Sequence, residues 1–394
     1  MNITLFILSF AIALLVSSAV YPIIIRIAKK YNIVDNPDAR KLQRDPVPVL
    51  GGSTVFIGAV CSMLLTAHYM EWHNLYGVIL FMFIMLIVGI LDDIFGLSAI
   101  LRFCIEIIVV WLYIIFSKSG IESFHGLWNI YVVSPYISIP LSILAGVGII
   151  NSINLIDGVD GYSSGYCISA CICFFVLFLL LHEYVFACMT IICIGGLIPF
   201  YLHNAFGKKS KMFIGDGGTL MMGAALTCCI FMVLSKRHTT DDLLQNNFSY
   251  VAFCLAVLGI PIFDTIRVMC SRILKGGSPF APDKTHLHHL FIDLGFSHIG
   301  CGSIIIMMNL LIVVTWLLTY KLGASIDVQF YIVIITCFLS TFGFNRWIRY
   351  CIKKENRTYQ LMIQFGKISH IERTGFWLFL QKLMDGDLRK KENK

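Results

Sequence analysis

Apolar runs recur along this chain at the length of a membrane-crossing helix, and short polar segments separate them. About eleven such runs stand out, near residues 3–25, 49–68, 75–91, 100–116, 136–153, 163–181, 184–202, 218–235, 249–269, 301–320 and 326–345. Each is close to the roughly 17 to 22 residues that an α-helix needs to cross about 30 Å of hydrocarbon. The first run has no basic stretch before it and no small-residue cleavage site after it, so it reads as a retained helix rather than a signal peptide. No internal repeat and no Pro- or Ser-rich linker interrupts the series. The pattern predicts an all-α integral membrane protein, with one polytopic domain over residues 1–345 and a basic tail over 346–394. Apolar positions around Tyr359–Phe365 and Phe376–Leu383 suit segments lying on a membrane surface.

Composition strengthens this picture. Of 394 residues, 58% are hydrophobic and 13% charged, more apolar than a water-soluble core requires. The net charge of +7 is one-sided. Arg26, Lys29, Lys30, Arg40, Lys41, Arg44, Lys208, Lys209, Lys211, Arg267, Arg272, Lys275 and Lys284 follow odd-numbered runs, whereas the opposite loops hold only Lys118, Lys236, Arg237 and Lys321. The positive-inside rule then places the N-terminus outside and the tail in the cytoplasm. A basic face of this kind suits anionic lipids and nucleotides, and no nucleic-acid module or aromatic-interleaved basic stripe is present. The 14 cysteines lie mostly within apolar runs, with no Cys-x-x-Cys pair, as expected of reduced structural thiols.

Four polar segments interrupt the apolar pattern: Leu91-Asp92-Asp93, Asn151 to Gly161, Phe213 to Thr219 and Pro282 to His289. They follow the third, fifth, seventh and ninth runs, so the topology gathers them on one face, expected to be cytoplasmic. Adjacent carboxylates such as Asp92 and Asp93 repel unless they share a cation or a proton, which makes them a metal or proton site or else a pair of solvated loop acids. Arg102 and Glu106, four residues apart on the next helix, share a face and read as an ion pair.

In Asn154-Leu-Ile-Asp157-Gly-Val-Asp160-Gly161, each aspartate is followed by glycine, which permits sharp turns and close approach of the backbone to a ligand. Asp216 stands between glycines at a helix start, where it either ligates Mg²⁺ beside free backbone N–H groups or simply caps the helix. Around His286, His288 and His289 there are too few further ligands for a zinc site. Imidazoles and Lys284 donating to diphosphate oxygens fit better.

Together these segments resemble the signature blocks of the polyprenyl-phosphate N-acetylhexosamine-1-phosphate transferases, glycosyltransferase family 4. The resemblance spans about residues 1–345 in family order, and Val34-Asp35-Asn36-Pro37 through Arg40-Lys41 to Pro48 and Gly51-Gly52 resembles the family's first cytoplasmic loop. Gln43 stands where a histidine is common, and Glu106 where a glutamine is common. His286-Leu287-His288-His289 after Ser278-Pro279-Phe280 resembles the branch that uses UDP-GlcNAc; the muramoyl-pentapeptide branch has three consecutive histidines.

The resemblance implies a phosphotransferase that moves N-acetylhexosamine 1-phosphate, in this branch GlcNAc 1-phosphate, from a UDP-sugar to undecaprenyl phosphate. UMP would be released, and lipid-linked cell-envelope polysaccharide would be started. It implies a bacterial cytoplasmic membrane location, membrane lipid as surroundings, and Mg²⁺ as cofactor with Mn²⁺ as the alternative. Asp216 would ligate the metal, with Asp92 and Asp93 assisting or accepting the acceptor's proton. His286, His288 and His289 would contact the diphosphate. Asn154, Asp157, Asp160, Asn204, Phe213 and Lys284 would form the nucleotide side, with Phe213 stacked on uracil and Asp160 accepting a hydrogen bond from it. Direct attack or a covalent intermediate, and a monomer or a homodimer, stay open. The rivals are a phospho-MurNAc-pentapeptide transferase and, from another class, a transporter. A transporter would place its ionisable residues near the membrane midplane rather than at helix ends.

Overall fold

The computed structural model describes residues 3–36, 45–69, 75–235, 247–279, 285–370 and 374–387. Its helices in chain order are α1 (Ile3–Lys30), α2 (Gly51–Leu65), α3 (Tyr76–Phe95), α4 (Ala99–Ser117), α5 (Pro135–Leu155), α6 (Tyr162–Leu180), α7 (Tyr184–Phe206) and α8 (Gly215–Val233). There follow α9 (Tyr250–Val257), α10 (Gly259–Leu274), α11 (Leu287–Asp293), α12 (His298–Lys321), α13 (Ile326–Phe338), α14 (Phe344–Lys354), α15 (Arg357–Ile368) and α16 (Gly375–Met384). One two-residue antiparallel ladder, Val34–Asp35 with Val47–Pro48, ties the ends of the loop after α1. The chain is therefore the all-α membrane protein that its apolar runs predict.

Among the described residues, nine helices are long and apolar enough to cross a membrane, with Ile326–Lys354 counted as one rod. A wider helical turn at Leu339–Gly343 joins α13 to α14 within that rod, so helix continues past residue 345. Two of the expected runs differ from the rest. The run at 49–68 yields only the 15-residue α2. The run at 249–269 breaks into α9 and α10, which meet at 72°.

That break has a local cause. Pro261 has no N–H to offer the carbonyl four residues back, at Val257, and its ring crowds that carbonyl. Val257 O is satisfied instead by the Tyr166 hydroxyl at 2.6 Å and by Asn309 Nδ2 at 2.9 Å. Asn309 Oδ1 in turn accepts the freed Ile260 N–H at 2.9 Å. Backbone groups released inside a membrane must be re-paired by neighbouring helices, and one asparagine from α12 does most of this.

The bundle is organised around α8, in which every residue except Asp216 is buried. Helices α2, α3 and α5 pack against it. Close helix approach in lipid depends on small residues at the interface. A Cβ at Gly89 of α3 would run into the Asp216 and Gly217 backbone, and one at Gly52 of α2 into that of Gly218. Hydroxyls tie α1 to its neighbours as well: Ser17 Oγ donates to Gly196 O at 2.9 Å, and Ser62 Oγ to Ser9 O at 2.7 Å. The contact at Gly89 fixes the Asp216 end of α8 against the acidic end of α3.

Candidate active site

The last turn of α3 carries Asp92 and Asp93, the second residue of α8 is Asp216, and the first turn of α4 supplies Arg102. Arg102 Nη1 donates to Asp92 Oδ2 at 2.6 Å and to Asp216 Oδ2 at 3.3 Å. Its Nε lies 3.7 Å from Glu106 Oε1, and Glu106 Oε2 accepts from Asn151 Nδ2. Asp93 Oδ2 accepts the Gly217 N–H at 3.4 Å. Three carboxyl groups thus crowd around one guanidinium with Asp93 beside them, a local excess of negative charge that further cations would relieve.

The turn between α5 and α6 lies beside this cluster. Asn154 Oδ1 accepts from Thr219 Oγ1 at 3.1 Å, which joins the turn to α8. Asp157 accepts from Ser163 Oγ. Although the Asp157 residue is open to solvent, protein walls around its carboxyl withdraw hydration and push the group up to about 6. Asp160 behaves oppositely. Burial by itself would raise it, but its contacts with His298 Nδ1 at 2.9 Å and Lys211 Nζ at 2.7 Å hold it below the ordinary carboxylate value. Lys211 also lies over the Phe213 ring, 5.5 Å from its centroid.

Asn204 has a supporting place. Its Oδ1 accepts the Gly161 N–H at 2.6 Å and its Nδ2 donates to Met212 O at 2.9 Å, so both ends of the amide are spent on holding loops together. The segment around Phe213 is held in the same way. Phe213 N donates to Pro48 O at 2.7 Å, and Gly51 N to Phe213 O at 3.0 Å.

The histidine segment closes the other side. His286 Nδ1 pairs with Asp264 Oδ2 at 2.9 Å, the Leu287 N–H reaches the same oxygen at 3.2 Å, and Arg267 contacts Oδ1 through Nε at 3.1 Å and Nη2 at 2.7 Å. His286 Nε2 is buried with no hydrogen-bond partner among the described residues. The buried His288 ring abuts the α5–α6 turn so closely that a Cβ on Gly158 would strike its imidazole, which is the close approach that glycine there permits. Burial, with His289 and His286 beside it, pushes His288 down to about 3, so the ring is neutral at physiological pH. The His288 and His289 ring centroids are 4.2 Å apart.

The structure therefore brings Asp92, Asp93, Asn154, Asp157, Asp160, Phe213, Asp216, His286, His288 and His289 to one end of the bundle, with Asn204 beneath them. Lys284 lies outside the described residues. Three features escape a reading of polar segments alone: Asp264, the clamp of Lys211 and His298 on Asp160, and Arg102 as the shared partner of Asp92 and Asp216. Asp264 had a signal, because an ionisable residue within an apolar run marks a functional position.

Among the described residues, no three His, Cys, Asp or Glu side chains converge as a metal cage. The donor set nevertheless suits Mg²⁺, which takes hard oxygen ligands and is commonly held by one or two carboxylates plus substrate phosphates.

The sequence pattern of glycosyl transferase family 4 matches residues 75–235. The chain is also 32% identical over 300 residues to a probable undecaprenyl-phosphate N-acetylglucosaminyl 1-phosphate transferase of Bacillus subtilis (strain 168), covering 74% of this chain and 78% of that protein. This chain belongs to glycosyl transferase family 4. It is 30% identical over 284 residues to the undecaprenyl-phosphate alpha-N-acetylglucosaminyl 1-phosphate transferase of Escherichia coli (strain K12), covering 69% of this chain and 72% of that one. The protein of the same name from Yersinia pestis is 28% identical over 285 residues, with 69% and 73% covered. The glycosyl transferase family 4 span contains every carboxylate of the cluster and ends before α9. Asp264 and the histidines join it through the contact of His288 with Gly158.

Proposed function

We propose that this protein transfers N-acetylglucosamine 1-phosphate from UDP-GlcNAc to undecaprenyl phosphate, releasing UMP and starting a lipid-linked cell-envelope polysaccharide. The names of its relatives support the reaction. The observation that carries the reading is the meeting of Asp92 and Asp216 across Arg102, beside Asn154 and a turn that abuts His288. One end of a membrane bundle thereby offers groups for a lipid phosphate and for a soluble nucleotide.

In the reaction an acceptor phosphate oxygen forms a bond to the sugar-bearing phosphorus, and the bond from that phosphorus to the UMP oxygen breaks. UMP leaves with the electron pair. The acceptor phosphate is already largely ionised near neutral pH, so no strong base is required. Mg²⁺ bound by Asp216, with Asp92 or Asp93 and the substrate phosphates, would offset repulsion between the two anions and the charge developing on the leaving phosphate. Arg102 positions the Asp92 and Asp216 carboxylates. His286, with Nδ1 held by Asp264, directs Nε2 to the diphosphate, and His288, neutral, with His289 beside it completes that wall. Phe213 and Asp160 receive the uracil end, and Lys211 orients both.

The bacterial relatives support a bacterial inner-membrane location, and the excess of Lys and Arg in alternate loops supports this face being in the cytoplasm. The deciding experiment is incubation of purified protein with undecaprenyl phosphate, Mg²⁺ and a panel of UDP-sugars, following UMP and lipid product. UMP release with UDP-GlcNAc and lipid diphosphate formation are expected. No product with any UDP-sugar would refute the assignment.

A further inference from the structure

The segment after α14 folds back onto the site instead of trailing from it. Ser297 N donates to Ser369 Oγ at 2.9 Å, Ser297 Oγ donates to Ser369 O at 2.7 Å, and His370 Nε2 lies 3.0 Å from Gly295 O. Farther along, one Asp385 carboxylate oxygen accepts the backbone N–H groups of Lys208 at 3.0 Å, Lys209 at 2.8 Å and Ser210 at 3.0 Å, together with the Ser210 hydroxyl at 3.1 Å. These bonds hold Asp385 below the ordinary carboxylate value despite its partial burial. Trp377 of α16 stacks on Phe206 at the end of α7, with centroids 5.4 Å apart and planes 17° from parallel.

Both anchor points touch the immediate neighbours of functional side chains. Ser297 precedes His298, Ser210 precedes Lys211, and His298 and Lys211 are the two partners that grip Asp160. The tail thus fixes both jaws of the clamp on the nucleotide-side carboxylate.

Between tail and clamp lies a cavity of about 450 Å³, lined in part by Asp160, Phe206, His298, His370, Trp377 and Gln381. That volume falls within the roughly 300 to 1,000 Å³ of small-molecule sites. Its walls combine a stacked aromatic pair with hydrogen-bonding edges and one carboxylate. Such a set matches a flat heterocycle carrying a hydroxylated sugar, and it is separated from the histidine wall only by the turn that holds Gly158 and Asp160. The cavity carries too few cations for a diphosphate, so the phosphates belong on the histidine side; Asp160 is shared with the Phe213 side through Lys211, and the nucleoside extends from there into this cavity.

We propose that the C-terminal tail is part of the donor site: α16 forms the outer wall of the nucleoside pocket, and Asp385 and Ser369 position Lys211 and His298 around Asp160. This inference rests on the UDP-sugar reading above. Trp377 and Gln381 border the ligand, whereas Asp385 and Ser369 are positioning residues.

The test uses the full-length protein in detergent, with Asp385→Ala, Asp385→Asn and Trp377→Ala. Donor KM, acceptor KM and kcat are measured, and UDP binding is followed by calorimetry. Losing hydrogen bonds to a charged group should raise donor KM and the UDP Kd of Asp385→Ala by about tenfold. Acceptor KM should not change. Asn, which still accepts the amides, should recover most of the loss. Trp377→Ala should weaken UDP binding by about fivefold or more through its lost wall, and it keeps the test open should Asp385→Ala fold poorly. Donor KM and UDP Kd within about twofold of wild type in both Asp385→Ala and Trp377→Ala would overturn the proposal. Failure of the wild-type protein to use any UDP-sugar would instead overturn the reaction, and it would leave the calorimetric comparison to judge the tail.

Discussion

Asp264 offers the sharpest test of the site, because each of its carboxylate oxygens accepts two hydrogen bonds in a buried place. Oδ1 takes Nε and Nη2 of Arg267, and Oδ2 takes His286 Nδ1 and the Leu287 N–H. Asp264→Asn changes almost no volume but replaces one acceptor by an NH₂ group. If the amide oxygen stays with Arg267, the NH₂ faces the Leu287 N–H, donor against donor, and His286 must present Nδ1 as an acceptor. The imidazole proton then moves to Nε2, so the atom directed at the substrate changes its character. If the amide flips, Arg267 faces the NH₂, and among the described residues it is held otherwise by Thr285 O at 2.6 Å. Either way a buried guanidinium loses its counter-charge.

Breaking a buried ion pair by removing one partner costs about 3 to 5 kcal/mol. The stranded Leu287 N–H by itself would cost about 1 to 3 kcal/mol. The two losses share one residue and do not add, so about 3 kcal/mol is the expected minimum. The catalytic effect follows from His286. One hydrogen bond to a charged group, worth about 1.5 to 3 kcal/mol, corresponds to about a 10- to 150-fold fall in kcat/KM if the proper tautomer is needed in the transition state. Thermal unfolding in detergent and initial rates of UMP release would be compared for wild type, Asp264→Asn and His286→Gln. The two substitutions should not be additive, because Asp264 acts on turnover through His286. Unchanged unfolding together with kcat/KM within about threefold of wild type would refute the reasoning.

Removing divalent cations with EDTA should abolish turnover, and Asp216→Asn should lower kcat by about 10²-fold or more; full activity in metal-free buffer would dismiss the Mg²⁺ proposal. His288→Ala should weaken donor binding by roughly 1 to 3 kcal/mol. UDP-GlcNAc should outcompete the muramoyl-pentapeptide nucleotide for radiolabelled donor, and preference for the latter would defeat the branch assignment but leave the reaction class. Asp157 titrates near 6 in the folded chain against an ordinary 3.8, so the folded state holds this proton more tightly. Its contribution to stability is complete below the unfolded value and lost as pH rises through the folded one. The melting advantage of Asp157→Asn over wild type should therefore grow between about pH 4 and 6 and level off above, and a shrinking advantage over that range would contradict the desolvation argument. Cysteine labelling in intact cells, on a cysteine-depleted background, should leave a probe at Ser278 protected and one at Met70 reactive; the reverse would invert the topology.

The long helices were legible because crossing hydrocarbon demands uninterrupted apolar length, and the chain states that length residue by residue. The Asp-Gly steps at Asp157 and Asp160 were legible for a similarly local reason. What the chain does not state locally is which faces meet. The run at 249–269 reads as one span; Pro261 breaks it, and the break is accommodated by Asn309, 49 positions away from Ile260. Asp264 acquires its role only when His286 arrives, and Asp160 only when Lys211 and His298 close on it from different elements. The tail shows the same limit. Its apolar positions suit a membrane surface, and Phe376 and Phe379 stay exposed, but the pattern does not state that Trp377 stacks on Phe206 or that Asp385 caps the 208–210 backbone. An amphipathic pattern specifies that a face must be covered, and the neighbouring surface decides by what.

The placement of the acids also bears on reaction class. Charged side chains at the centre of a bilayer are costly, and Asp92, Asp93, Glu106 and Asp216 are too many for Arg102 to neutralise. They occupy the end of α3, the first turns of α4 and the start of α8, with Glu106 buried behind them and Asp216 left partly open at the end of the bundle. Only at such a boundary can the repulsion be left partly unbalanced for an arriving cation and diphosphate to complete. The near-total burial of α8 except at Asp216 serves the same end. Packing that lets backbones touch at Gly52 and Gly89 makes the helix a rigid post, and the one residue left partly open is the carboxylate on which the chemistry depends. A substitution that pried α3 from α8, such as Gly89→Ala, should therefore damage turnover by misplacing Asp216 relative to Asp92, even though no reacting group is altered.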